Sequence, residues 1–326
     1  MTVLVTGGTG FIGSHVVDVL LKKEYRVRCL VRKSSNLQWL ASQPVELVYG
    51  NFNSVDPLKE AVSDVKIVIH IAGVVAAKNR EGFFQGNVTA TENVLNAVLI
   101  SNPELERFLH VSSLTAIGPS QNGNPVDENT PPHPITTYGE SKLAAEKAIL
   151  KFTDKIPVTI VRPPAVYGPR DTATLSFFQS VQKGLIPLVG FSPKKVSLVH
   201  AYDLARGIVD AALSEQSIGK IYFIGSEEVY DWQQIGSVAA EVAGRKTVKL
   251  RIPEFMVMGI AGVSGFFSKF KEKPSVLNFE KGKDMIADNW TCSVEAAKKD
   301  FGYRQEVTLE EGIRNTLDWY REYGWL

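Results

Sequence analysis

The sequence predicts an α/β fold, a doubly wound parallel sheet followed by a smaller mixed lobe. Three observations predict it. Short β-branched runs alternate with longer segments of helical periodicity through the first half of the chain, the pattern of parallel strands joined by crossover helices. Runs such as KIVIHIA at 66–72 are almost continuously apolar, as in strands covered on both faces. A glycine-rich stretch separates the first strand-like run from the first helical one.

The strand-like runs lie at 3–6, 26–31, 45–48, 66–71, 107–111 and 158–162. Helical periodicity is clearest at 15–22 and 91–100. Right-handed crossovers favour the strand order 3-2-1-4-5-6. After about Gly168 the alternation weakens, and Pro169, Gly184, Pro187, Gly190 and Pro193 punctuate the chain. A strand-like VSLVH at 196–200 precedes a helical stretch at 202–213. KIYFIG at 220–225 precedes another at 231–243, and LEEGIRNTLDWYREYGWL closes the chain as a helix. The expected organisation is a first lobe over 1–168 and a second over 169–326, with the segment around 196–224 returning to the first lobe's core.

Composition bounds the function. The 326 residues are 44% hydrophobic and 22% charged, enough apolar side chain for a full core and too much for a disordered chain. Lys+Arg number 36 against Asp+Glu 35, a net charge of +1, so no basic excess favours nucleic acid. Cys29 and Cys292 form no C-x-x-C pair and have no histidine cluster near them, and no metal site is expected. Reduced thiols place the protein in the cytoplasm. The N-terminus has no leader-like pattern. The longest apolar stretch, 255–267, is shorter than the roughly 20 residues a membrane-spanning helix needs.

Gly7, Gly8, Thr9, Gly10, Phe11, Ile12 and Gly13 follow the first strand and open the first helix. One glycine permits the tight turn, one lets the backbone approach a pyrophosphate, and one lets helix and strand pack closely. The free N–H groups of the new helix then face the anion. In this position the loop reads as a Rossmann-type dinucleotide site rather than an ordinary turn. At the end of the second strand stand Arg32, Lys33, Ser34 and Ser35, with no acid close by. A guanidinium suits the 2′-phosphate of NADP, whereas NAD's 2′-hydroxyl calls for an acid. NADP is therefore the expected cofactor, with NAD as the alternative and a solvated basic turn as the plain reading. Asn51 and Phe52, just after the third strand, join the cofactor-binding set.

Tyr138 and Lys142 stand four residues apart at the start of the helical segment TTYGESKLAAEKAIL, on one helix face. A cation near a phenol lowers its pKa from about 10 and suits it to proton transfer. Ser112 and Ser113 end the preceding strand, where such sheets deliver residues to their ligand crevice.

With TGGTGFIG, HIAG at 70–73, NVTATENVL at 87–95, VSSLTAIG, YGESK, RPPAVYGP at 162–169 and HAYDLARG at 200–207, the chain resembles the extended short-chain dehydrogenase/reductase family, the NAD-dependent epimerase/dehydratase superfamily, essentially end to end. The resemblance implies roles. Tyr138 would be the general acid/base, and Lys142 would bond the nicotinamide ribose and lower the Tyr138 pKa. Ser113 would hold the substrate oxygen, with Ser112 as its substitute if the alignment slips by one. Asn87 would serve either a proton relay or helix packing. Ala72 and Gly73 would line the cofactor, and Pro163 and Val166 would abut the nicotinamide. His70 is expected to be structural, and His200 has no expected chemistry. The family tends to dimerise through the helices carrying Asn87 and Tyr138, so a homodimer is implied.

The branch is read from departures. Nucleotide-sugar epimerases usually carry an asparagine after the sixth strand, where this chain has Pro163 and Pro164, and often Arg-Asp before the later histidine motif, where it has Lys194 to Val199. Dehydratases need extra acids beside the serine, and Leu114 and Thr115 supply none. PEFMVMGIAGVSGFF, followed by KEKPSVLNFEKGKDMIADNW, is similar to the dihydroflavonol reductase and 3β-hydroxysteroid dehydrogenase branch. The expected activity is NAD(P)-dependent reduction of a carbonyl, or oxidation of a secondary alcohol, on a mainly apolar small molecule. A nucleotide-sugar 4-epimerase or dehydratase holding NAD tightly is the second reading, and a non-catalytic dinucleotide sensor the third. The stretch 255–267 reads as a core or lid helix or a substrate contact through Met256 and Met258. With Lys269, Lys271 and Lys273 behind it, it also reads as a membrane-surface helix.

Overall fold

In the computed structural model, residues 1–268 and 279–326 are described; Lys269, Lys271 and Lys273 lie outside them. In chain order the strands are β1 (Thr2–Thr6), β2 (Arg26–Val31), β3 (Glu46–Tyr49), β4 (Ile67–His70), β5 (Arg107–Val111), β6 (Val158–Arg162), β7 (Ala165–Tyr167), β8 (Leu185–Val189), β9 (Lys195–His200), β10 (Ile221–Phe223), β11 (Val229–Asp231), β12 (Val248–Ile252) and β13 (Asn289–Trp290). The helices are α1 (Phe11–Lys22), α2 (Asp56–Val62), α3 (Arg80–Phe84), α4 (Ala90–Ser101), α5 (Thr137–Leu150), α6 (Leu175–Gln182), α7 (Ala201–Leu213), α8 (Trp232–Val242), α9 (Glu254–Ser268), α10 (Phe279–Ile286), α11 (Glu295–Phe301) and α12 (Leu309–Glu322).

The main sheet runs β3-β2-β1-β4-β5-β6-β10, every pair parallel. This is the order 3-2-1-4-5-6 with β10 added at the edge beyond β6. Its strands are buried on both faces because alternate residues feed two cores. Val3 and Val5 pack with Val16 and Leu20 of α1 and with Leu204 and Ile208 of α7. Leu4 and Phe108 pack on the other side with Leu58, Leu95 and Ile149 of α2, α4 and α5. The strand order reverses between β1 and β4, and that switch point opens a crevice at the C-terminal ends of the strands.

The later chain is more ordered than its prolines suggest. β9 lies between β11 and β13 and also pairs with β7. β8 and β12 form a separate two-stranded parallel ribbon. Pro187 sits within β8, which a two-stranded ribbon tolerates because β8 has a partner on one side only. The stretch 255–267 is the body of α9, which packs on α10. No helix among the described residues is long and apolar enough to cross a membrane. Cys29 and Cys292 are both free and buried.

One interaction ties α5 to the sheet. Arg162, at the end of β6, donates from Nε and Nη2 to the two carboxylate oxygens of Glu146 on α5, at 3.0 and 2.7 Å. The side chains are 5% and 2% exposed. Two buried charges tolerate each other only while paired. Glu146→Ala should therefore cost about 3–5 kcal/mol in chemical denaturation, and Glu146→Met with Arg162→Met should recover most of it. A single-mutant cost no larger than that of an exposed pair, about 1 kcal/mol or less, would show that the pair does not anchor the helix.

Candidate active site

The glycine loop forms a cradle that side chains would fill. Gly7 has φ of +77°, and a Cβ there would lie 2.8 Å from the Ala72 nitrogen. A Cβ on Gly13 would lie 2.1 Å from the Gly7 carbonyl oxygen, so helix and loop meet only because both residues are glycine. Gly10 caps α1 from an extended conformation and no side chain bonds there. By contrast, Thr136, Asp231 and Thr308 cap α5, α8 and α12 through their side chains. The first N–H groups of α1, at Phe11, Ile12 and Gly13, thus lack a capping side chain and suit an anion. Thr9 is half-buried beside them. Arg32 and Lys33 are exposed just past β2, and neither has an acidic partner among the described residues. Asn51 turns back to accept from the Asn53 nitrogen, and the carbonyl of Phe52 accepts from Asn93. The donors and shape fit a dinucleotide.

At the end of β5 the two serines part company. Ser112 is buried, and its hydroxyl finds no partner among the described residues. Ser113 is half-exposed and caps a short turn, Leu114–Ala116. Its Oγ accepts from the nitrogen and the hydroxyl of Thr115, at 3.2 and 2.8 Å. With two bonds accepted, its own proton is left to donate. Ser113, not Ser112, acts on the Tyr138 phenol, lowering its pKa against the effect of burial.

Lys142 departs from the expectation. Its ammonium donates to the Val111 carbonyl at 2.8 Å and lies 3.2 Å from Nε2 of His110. It is held at the sheet by these two acceptors, so it does not lower the Tyr138 pKa here. Burial dominates: the phenol is pushed up to about 12, with the bond to Ser113 opposing and the charge of Asp284 reinforcing the shift. Burial likewise brings Lys142 down to about 8, against the opposing charge of Glu146.

Behind these groups runs a directional hydrogen-bond chain. The Ala72 N–H donates to Thr6 Oγ1, whose hydroxyl donates to Nδ1 of His70. Nε2 of His70 then donates to Thr91, and Thr91 to the Asn87 carbonyl. These bonds assign the His70 tautomer, and burial keeps the ring neutral by bringing its pKa to about 3. Asn87 lies in a π-helical turn, Gln85–Thr89, between α3 and α4, the kind of local irregularity common at functional sites. Its side chain accepts from the Val74 nitrogen and donates to the Val74 carbonyl and to Ser141. Gly73 passes so close that a Cβ would lie 2.9 Å from the Asn87 oxygen. Pro163 is buried, its carbonyl accepting from the Leu114 nitrogen, and Val166 lies half-buried in β7. His200 caps α7 through Nδ1.

His110, Thr115 and the roof of the site escaped the sequence reading. The strand alternation of RFLHV was the available signal for His110, since it puts Phe108 and His110 on the α5 side of β5. No local signal marks α10, whose Glu280 accepts from the Thr137 nitrogen at the start of α5 and whose Asp284 raises the Tyr138 pKa through its charge.

Comparison with known proteins accords with this geometry. The profile of the NAD dependent epimerase/dehydratase family matches residues 3–225. The ceramide reductase of Caulobacter vibrioides is 30% identical over 325 residues, covering 99% of this chain and 96% of that protein. A 3β-hydroxysteroid dehydrogenase/Δ5→4-isomerase of Mycobacterium tuberculosis is 27% identical over 337 residues, covering 98% and 90%. Among solved structures, gox2253 superposes with a TM-score of 0.83 at 29% identity, over 100% of this chain and 99% of that one. The UDP-glucose 4-epimerase of Thermotoga maritima superposes with 0.81 at 21% identity, covering 99% of each; at that identity the likeness is one of fold. The chain belongs to the NAD-dependent epimerase/dehydratase family, as an oxidoreductase of the extended short-chain dehydrogenase/reductase type.

Proposed function

We propose that the protein is an NADP-dependent reductase of a carbonyl, or dehydrogenase of a secondary alcohol, on a mainly apolar substrate. The observation that supports this is Ser113 at the C-terminal end of β5, its proton free to donate and its influence felt by the Tyr138 phenol of α5, at the same sheet edge as the glycine cradle. A bound nicotinamide supplies or accepts the hydride. Tyr138 donates its proton to the developing alkoxide, or takes it in the oxidative direction. The spare Ser113 proton hydrogen-bonds the same oxygen as its charge grows. Lys142 is a ribose ligand. Asn87 is a positioning residue, because its amide is spent on the Val74 backbone and Ser141. Gly7 to Gly13, Ala72, Gly73, Asn51, Phe52, Pro163 and Val166 would line the cofactor. The segment after residue 168 would serve mainly as the substrate lobe.

The relatives named for ceramide and steroid chemistry support an apolar substrate over a nucleotide sugar. Arg32, exposed and without an acidic partner among the described residues, supports NADP over NAD.

Tyr138→Phe should reduce turnover of an apolar ketone by about 10²–10⁴-fold while leaving cofactor affinity nearly intact. Turnover within a few-fold of wild type removes the phenol from the mechanism.

Cofactor choice is tested by equilibrium binding. Charge-assisted bonds contribute roughly 1.5–3 kcal/mol, so Arg32→Asp should weaken NADP by about 10–150-fold and leave NAD little changed. A wild type that already prefers NAD refutes the assignment.

His110 accepts from the Lys142 ammonium and so favours its charged form. In His110→Phe the alkaline limb of the cofactor-binding pH profile should move to lower pH, because Lys142 loses its proton earlier. An unmoved limb with lowered stability would mean that His110 only fills space.

A further inference from the structure

The β8–β12 ribbon carries a surface that the proposed reaction does not use. In register, Ile186 and Leu188 of β8 stand beside Lys249 and Arg251 of β12. Ile186 and Leu188 are buried in the second lobe's core, so this is the inner face, and the two cations emerge along its β12 edge, exposed. Strand alternation turns the other six residues outward: Leu185, Pro187 and Val189 beside Val248, Leu250 and Ile252. The outward face is wholly apolar and partly open, with Val248 69%, Leu250 47% and Leu185 41% exposed. At its end the chain adds Phe191 and Phe255, 71% and 76% exposed, around a shallow depression lined by Gly190, Phe191, Pro253, Glu254 and Phe255. A contiguous apolar patch of this kind marks an interaction site.

Charge identifies the partner. Residues 172–202 contain no Asp or Glu, and 243–253 contain Arg245, Lys246, Lys249 and Arg251 with no acid at all. Arg245, Lys246, Lys249 and Arg251 are exposed, as is Lys183 at the start of β8. The Lys249 and Lys246 ammonium groups have no carboxylate partner among the described residues, and the guanidinium of Arg251 bonds only the carbonyls of Gly190 and Phe191. Two carboxylates lie at this end, Glu254 and Asp288, and both are held by the buried Lys194, at 2.8 and 2.9 Å. The result is an apolar face bordered by cations. A second copy docking through this face about a two-fold axis would set the same cations against one another. An anionic lipid surface offers both what the apolar face needs and what the cations need.

We propose that the outer face of the β8–β12 ribbon, with Phe191 and Phe255, seats the protein on an anionic membrane surface without spanning it. The same ribbon leads directly through Pro253 into α9, which packs against α10, the helix whose Glu280 accepts from the Thr137 nitrogen at the start of α5.

The test is sedimentation of the full chain with vesicles, which reads no turnover and is independent of the reductase reading. Wild type should pellet with vesicles of phosphatidylcholine containing one third phosphatidylglycerol. It should pellet far less with phosphatidylcholine alone, and it should be released by salt. Lys249→Gln with Arg251→Gln should lower the partition coefficient about 25-fold, at about fivefold for each cation removed. Val248→Asp with Leu250→Asp should abolish pelleting, with thermal unfolding as the check on folding. Because the two cations are exposed, the glutamine variant keeps the test valid even if the aspartate variant does not fold. The proposal is overturned by wild type that ignores both vesicles, by equal binding to both, or by glutamine variants that bind like wild type. It is also overturned by a wild-type dimer in solution that Val248→Asp with Leu250→Asp converts to monomer, which would make the face an interface between copies.

Discussion

The geometry of the site depends on where α5 stands against the sheet, and the buried Arg162–Glu146 pair sets that position. Tyr138 and Lys142 lie about two turns and one turn before Glu146 on the same helix. A shift of α5 along β6 would move the phenol away from Ser113, whose place is fixed independently by β5 and by its bonds to Thr115. Deep burial makes the ion pair both costly and specific. Once desolvated, neither charge has an alternative partner of comparable quality, so the helix has one low-energy position. The same carboxylate raises the Lys142 pKa against the effect of burial, so one residue serves both placement and charge.

A second layer holds the loop that follows β4. The chain from Ala72 through Thr6, His70 and Thr91 to Asn87 links β1, β4 and α4 through polar atoms that would otherwise be buried without partners. Asn87 completes it by clamping the backbone of Val74 to Ser141 on α5. Satisfying every member makes such a network rigid, and a missing member would leave a desolvated polar group. In this arrangement the π-helical turn at Asn87 has a physical purpose. The extra residue in the turn directs the amide inward, toward the loop after β4, rather than along the helix surface.

Lys142 shows how burial and charge compete. A cation beside a phenol lowers its pKa, but only when the two face each other. Here the ammonium has acceptors in the Val111 carbonyl and His110, and burial pushes the phenol up and the ammonium down. The ordering of effects follows from distance and desolvation, and neither can be read from an i, i+4 spacing.

The dinucleotide lobe was legible because its constraints are local. The glycines of 7–13 answer to backbone sterics within one turn, and the continuously apolar strands answer to burial on both faces, so strand order and the cradle follow from sequence pattern and chain chirality. Tyr138, Lys142 and the serine pair stood out as a candidate constellation, whereas telling Ser113 from Ser112 needed the strand's end and the short turn that follows it. Proline and glycine hid β7, β8 and β12, since those strands form through partners distant in sequence that no local propensity reveals. The meeting of His110 with Lys142, the approach of the α10 carboxylates to the start of α5 and the apolar outer face of the β8–β12 ribbon were decided by tertiary structure alone. Each arises from residues far apart in the chain meeting in a low-dielectric interior or sharing one face of a ribbon, and the sequence by itself carries no measure of that proximity.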